Sequence, residues 1–245
     1  MRLEGLTGRG VRVGIIDSGV NPAHPHVGGV AGGVFIGPAG ESDVYLDRIG
    51  HGTAVTGAIR EKAPDALLYA VKIFDRSLVS SSEILLRALE WCVAQQMHVI
   101  NLSLGSLNQD HRTRFERLLD RATVAGVLLV AAHEADGRAV LPGCLPGTLA
   151  VGLDSDCARD RYSCGASGAR LMFDASGYPR PIPGFPPERN LNGISFAVAN
   201  MTGFVARARE SCPVGSREAI EQILVENAAN RRNEWADLKS SGVQA

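Results

Sequence analysis

Val127-Leu128-Leu129-Val130-Ala131-Ala132 is a run without one polar position. A strand with one face in water alternates apolar and polar residues, whereas a strand covered on both faces does not. The run therefore reads as an inner strand of a parallel sheet with helices on both faces. Working outward, Val99-Ile100-Asn101-Leu102-Ser103-Leu104-Gly105 reads as a strand followed by a turn, and Thr148-Leu149-Ala150-Val151-Gly152 as another strand. Between the first two, Phe115, Leu118, Leu119 and Ala122 recur at helical spacing, with Gly126 placed to cap that helix. Leu67 to Ile73 and Val11 to Ile16 are two more apolar strands, and Val34-Phe35-Ile36 is a short one. Ser80 and Glu83 have capping-box spacing ahead of a helix whose apolar positions are Leu85, Ala88, Leu89, Cys92 and Val93. Helices are expected from His51 to about Arg60, from Ser195 to Arg209 and from Ser216 to Ala229, with a proline-rich loop from Tyr178 to Pro187. Strands alternating with helices imply an α/β fold with a mostly parallel central sheet. With neither repeats nor a linker, residues 1–245 read as one domain.

Composition narrows the function classes. Twenty-five basic and 26 acidic residues give a net charge of -1, which supplies no basic surface for nucleic acid or for an anionic membrane. No apolar run is long enough to span a bilayer, and Met1 to Gly10 has no signal-peptide core. Five cysteines, Cys92, Cys144, Cys157, Cys164 and Cys212, match no zinc spacing and read as reduced thiols, so a cytoplasmic location is expected. His24 and His26 have no further His or Cys near them in sequence and are read as no metal pair; no metal or cofactor is expected, and the oligomeric state is left open.

In parallel sheets, sites gather at the carboxyl ends of strands. Asp17 follows the first strand directly, and Ser103 and His133 end or follow two others. Gly193-Ile194-Ser195-Phe196-Ala197 puts a serine at the start of a helix, where serine ordinarily caps. Two earlier stretches change that reading. Val13-Gly14-Ile15-Ile16-Asp17-Ser18-Gly19 runs a strand into an aspartate and a glycine turn, and Gly50-His51-Gly52-Thr53 sets a histidine between glycines at a helix start. Aspartate, histidine and serine are the parts of a hydrolytic triad.

With Asp47, Ala63-Pro64, Tyr69-Ala70-Val71-Lys72 and Ile100 to Gly105 in order between them, these motifs resemble those of subtilisin-family serine proteases from about Val11 to at least Cys212. The resemblance implies a subtilisin-like fold and a protein or peptide substrate. It assigns Ser195 as nucleophile, His51 as general base and then acid, and Asp17 as the group that orients the imidazole. It also implies an extended substrate lying along Leu78, Val79 and Ser80 on one side and Ser103, Leu104 and Gly105 on the other. The activity expected is hydrolysis through an acyl-enzyme, in a selective intracellular processing protease. Transfer of the acyl group to an amine, or peptide binding without cleavage, are the alternatives.

The sequence departs from the family pattern in several places, among them a short loop from Ala135 to Val140. Val198-Ala199-Asn200 lacks the proline that usually follows the serine motif, and Ala131-Ala132-His133-Glu134 has histidine where the family's oxyanion asparagine is expected. His133 is therefore the expected side-chain donor of the oxyanion hole, with Asn192 and Asn200 as other candidates. Glu134 and Asp136 fit two readings, as acids lining the pocket for the residue before the scissile bond or as solvated loop residues. The interval Ile59 to Leu68 holds only Glu61 and Asp65 as acids, too few for a calcium loop.

Overall fold

The structure, a computed structural model, describes residues 3–168 and 170–231. In chain order the strands are β1 (Arg12–Asp17), β2 (Gly32–Gly37), β3 (Gly40–Ser42), β4 (Leu67–Lys72), β5 (Val99–Leu102), β6 (Leu128–Ala132), β7 (Glu134–Ala135), β8 (Arg138–Ala139), β9 (Thr148–Leu153), β10 (Tyr162–Ser167), β11 (Arg170–Ala175) and β12 (Asn230–Arg231). The α-helices are α1 (His51–Lys62), α2 (Ser82–Ala94), α3 (Arg112–Val124), α4 (Ile194–Ser211) and α5 (Arg217–Asn227). Ten strands form one sheet in the order β12-β10-β11-β9-β6-β5-β1-β4-β2-β3. From β11 to β2 every neighbouring pair is parallel.

The apolar run of β6 behaves as its composition requires. Leu128, Val130 and Ala132 face a core shared with Val55 and Ile59 of α1 and Phe196 and Phe204 of α4. Leu129 and Ala131 face the other core, with Leu85 and Leu89 of α2 and Phe115 and Leu119 of α3. β1 divides the same way, Val13 and Ile15 to the first core and Ile16 to the second. Gly14 lets α2 approach closely, because a Cβ there would stand 2.9 Å from the Cys92 sulfur. Cys92 is fully buried, and burial raises its thiol pKa far enough to keep it protonated.

Some elements differ from the sequence reading. Ser81, not Ser80, caps α2: its hydroxyl accepts the Ile84 N–H at 3.2 Å. In a run of three serines the spacing rule leaves the register open by one. β3, β10, β11 and β12 had no sequence signal of their own, and β10 with β11 forms an antiparallel pair beyond β9. The stretch after His133 is a hairpin, β7–β8, turned by Asp136 and Gly137 at φ 50 and 69. Asp-Gly is a strong signal for such a turn. Gly126, at φ 71, closes α3 as expected, and the Val127 N–H bonds back to Ala122.

Candidate active site

Asp17 ends β1 and is 1% exposed. Its Oδ1 accepts the Ser18 N–H at 2.7 Å and lies 2.8 Å from Nδ1 of His51, the first residue of α1. Close approach of the two elements depends on Gly52, where a Cβ would stand 2.2 Å from the Gly19 carbonyl oxygen. Gly50, at φ 94, turns the chain into α1.

Asp47 fastens this junction. Its Oδ1 accepts from Ile49 and Gly50 N–H and from the Ser18 hydroxyl, each at 2.9 Å. Its Oδ2 accepts from the Thr53 N–H at 2.9 Å and the Thr53 hydroxyl at 2.6 Å. The Ser18 hydroxyl in turn accepts the Gly52 N–H at 2.9 Å, which ties the turn after β1 to the first turn of α1. Burial works against the charge of Asp47, yet the bonds from Thr53, Gly50 and Ile49 prevail and hold its pKa below the ordinary value. Sequence reading matched Asp47 to the histidine motif but missed the parts of Ser18 and Thr53. The usable signal was an acid three residues before a glycine at a helix start.

Burial lowers the affinity of His51 for a proton, but its hydrogen bond to Asp17 and the charges of Asp17 and Asp47 outweigh that and raise its pKa. An imidazole so held presents Nδ1–H to the carboxylate, leaving Nε2 as the basic nitrogen.

Ser195 is half-buried, the second residue of α4, after Gly193 at φ 140. There its N–H has no acceptor within the helix and lies at the positive end of the dipole. Phe196, next in the chain, sets its ring 5.7 Å from that of His51, so the start of α4 lies against the start of α1. Among the described residues the Ser195 hydroxyl makes no hydrogen bond. Catalytic hydrogen bonds often tighten only when substrate is bound.

Leu78, Val79, Ser80, Leu104 and Gly105 line one cleft of about 240 Å³, while Ser103 is buried and does not line it. Beyond them Ser106 pairs with Leu141, and a Cβ on Gly105 would lie 2.6 Å from the Val140 side chain. His133 lines another cleft, of about 300 Å³, with Gly152, Leu153, Met172 and Asp174; its Nδ1 is buried and has no partner among the described residues. Burial and then Arg170 lower its pKa against the pull of Glu134, so the ring is neutral at pH 7. Asn200 is not free to serve as an oxyanion donor. Its amide N–H groups bond the Ser176 and Tyr178 carbonyls at 2.9 and 3.0 Å. Glu134 is exposed and lines the His133 cleft, and Asp136 is exposed at the hairpin turn. His24 and His26 meet edge to face at 5.1 Å, and among the described residues no group of three or more His, Cys, Asp or Glu could hold a metal. No helix there is long and apolar enough to cross a membrane.

A family model described as the subtilase family matches residues 8–243. The chain belongs to the subtilase family. Subtilisin E of Bacillus subtilis (strain 168) is 29% identical over 248 residues, 95% of this chain, and the chain spans 64% of that relative's length. Subtilisin Savinase of Lederbergia lenta is 34% identical over 240 residues, covering 93% of this subtilase and 86% of the relative. A crystal structure of a cold adapted subtilisin-like serine proteinase superposes with a TM-score of 0.72 at 21% identity, over 96% of this subtilase and 87% of that chain. That of a lanthipeptide protease gives 0.69 at 20%, over 95% and 88%. These likenesses bear out the subtilisin-like fold.

Proposed function

We propose that this subtilase is a serine endopeptidase that hydrolyses peptide bonds through an acyl-enzyme, with Asp17, His51 and Ser195 as its triad. The observation that carries the reading is the Asp17–His51 pair at 2.8 Å, with Phe196, the residue after Ser195, 5.7 Å from the His51 ring. A serine hydroxyl is a weak nucleophile at neutral pH, so a base must take its proton during attack. Nε2 of His51 takes it, and the imidazolium that forms is stabilised by the buried carboxylate of Asp17. The oxyanion draws on the Ser195 N–H and a side-chain donor, for which we propose His133. His51 then returns the proton to the leaving amine, and water releases the acyl group by the same route in reverse. The substrate lies extended along Leu78 to Ser80 and Ser103 to Gly105.

We further propose a selective processing role inside the cell, a reading supported by Cys92, Cys144, Cys157 and Cys212 being free thiols. Peptide binding without cleavage is the second reading, favoured by the unpaired Ser195 hydroxyl and by histidine at position 133.

Fluorophosphonate labelling tests the proposal. The parent is expected to be labelled at Ser195 and to cleave a denatured protein mixture, whereas Ser195→Ala is folded, unlabelled and inactive. In subtilisin itself loss of the serine costs about 10⁶-fold in kcat. Cleavage by Ser195→Ala at the parental rate would overturn the reading, and masses of the products separate hydrolysis from transfer to an amine.

A further inference from the structure

A third cleft, of about 450 Å³, flanks the Asp17–His51 pair and shares no residue with the Leu78–Gly105 cleft. It runs from Gly50, the neighbour of His51, to Asn190 and Leu191, just ahead of the serine motif. Ile182, Phe185 and Leu191 line it and are 47%, 43% and 51% exposed. Scattered apolar residues on a surface need no explanation, but three converging on one concave wall mark a place for an apolar group.

The rim is cationic. Arg180 and Arg189 border the cleft, and neither has a carboxylate within ion-pair distance among the described residues. Among the described residues the Arg180 guanidinium makes only a long bond, 3.4 Å, to the His26 carbonyl. His24 and His26 also line the cleft. The one acid lining the cleft is Asp47, and both its oxygens are already engaged by Ser18, Ile49, Gly50 and Thr53. The two guanidinium groups are thus uncompensated by the protein, beside an apolar wall that is also uncovered. Arginine suits such a place because its planar fork recognises carboxylates.

We infer that this cleft binds the part of the substrate across the scissile bond from the Ser103–Gly105 edge, and that it selects a segment combining a large apolar side chain with an acidic one. The inference rests on the peptidase reading above. A substrate extended over Ser195 and His51 must leave the site across this flank, where its apolar side chain meets Phe185 and Leu191 and its carboxylate meets Arg180 and Arg189.

Cleavage sites recovered from a denatured protein mixture give the first readout. Acidic residues should be enriched within a few positions on one side of the cut bond. Around one recovered site, amidated peptides that differ only by Glu or Lys on that side are then compared, with kcat/KM normalised to fluorophosphonate-reactive enzyme. The Glu peptide should win by roughly tenfold, as expected for two exposed charge pairs against their repulsive counterparts. The preference should shrink with added salt. Arg180→Glu with Arg189→Glu should bring the ratio to one or below. If that pair of changes prevents folding, Arg180→Gln and Arg189→Gln singly should each lower it. A parental ratio within about twofold of one, or a ratio that none of these variants moves, overturns the inference alone. Absence of both labelling and cleavage overturns the peptidase reading and the inference with it.

Discussion

Oδ1 of Asp17 receives two donors at once, the Ser18 N–H at 2.7 Å and the His51 ring nitrogen at 2.8 Å. The first fixes the carboxylate in place, and the second fixes the imidazole against it. The pair raises the His51 pKa above 6.5, and His51 must be neutral to act as a base. Activity should therefore fall as the pH drops through a value higher than an ordinary histidine's. The acid limb of kcat/KM measures this directly, and a midpoint clearly below 6.5 would contradict it. Asp17→Asn leaves the shape but not the charge, and it permits the wrong tautomer. A loss of about 10⁴-fold in kcat is expected, as for the equivalent change in another triad enzyme.

Asp47 should matter to stability more than its half-exposed position suggests. Its pKa in the folded protein is held below 3.8, so it contributes stability that is present above the unfolded value and lost as the pH falls through the folded one. Asp47→Ala removes the acceptor for Thr53, Gly50, Ile49 and Ser18, and a loss of about 2–4 kcal/mol is expected from a helix cap plus charge-assisted bonds. Asp47→Asn should remove the part of the stability that varies below pH 3.8. Urea titrations across pH measure both, and an alanine variant within about 0.5 kcal/mol of the parent would show that other groups hold the start of α1.

The legibility of this chain followed the physics of each segment. β6 could be read because burial on both faces excludes polar residues, and Gly126 because few other residues take a positive φ at a helix end. The triad motifs could be read because glycines must flank groups brought this close: a Cβ on Gly52 meets the Gly19 carbonyl. β10 and β11 could not. Ser163, Gly165 and Ser167 are small polar or neutral residues, and their strand exists through pairing with β11 rather than through its own pattern. The Ser18–Asp47–Thr53 network was hidden for a related reason, since hydrogen bonds between residues far apart in sequence leave no local period. The position of the His133 ring was equally out of reach, because sequence places a residue after a strand but not the direction its side chain takes.

Stability should not depend on calcium. Glu61 is paired with Arg159 and Lys62, and Asp65 lies 3.6 Å from Arg9. Both acids between α1 and β4 thus already face cations, and Asp47 is engaged by its own donors. A calcium site needs about 6–8 oxygen ligands. Thermal melting in chelator and in millimolar calcium should agree within about 2 °C, a shift worth about 0.5–1 kcal/mol for a chain of this size. A large rise with calcium would mean a site built from other groups.

His133 is the side-chain donor we propose for the oxyanion hole, and among the described residues its buried Nδ1 has no partner. A neutral imidazole donates from one nitrogen, so it can replace an amide N–H if that nitrogen reaches the oxyanion. The competing role is to fill the cleft it shares with Leu153 and Met172. The two roles predict different kinetics. As a donor used only in the transition state, His133 contributes to kcat and hardly to KM, so His133→Ala should lower kcat by about 10²–10³-fold, the order such a loss costs in subtilisin itself. As a filler, the same change should lower the melting temperature and leave the kcat of folded enzyme near the parent's. No hydrogen bond to Nδ1 is lost in the variant, so a drop in kcat without a matching loss of stability is specific to the donor role. His133→Asn restores an amide N–H and should recover much of the rate. An alanine variant with kcat within about threefold of the parent, less than ~1 kcal/mol of barrier, would remove His133 from the mechanism. The donor would then be sought at Asn192, which is exposed just ahead of Gly193 and, unlike Asn200, is not tied to Ser176 and Tyr178.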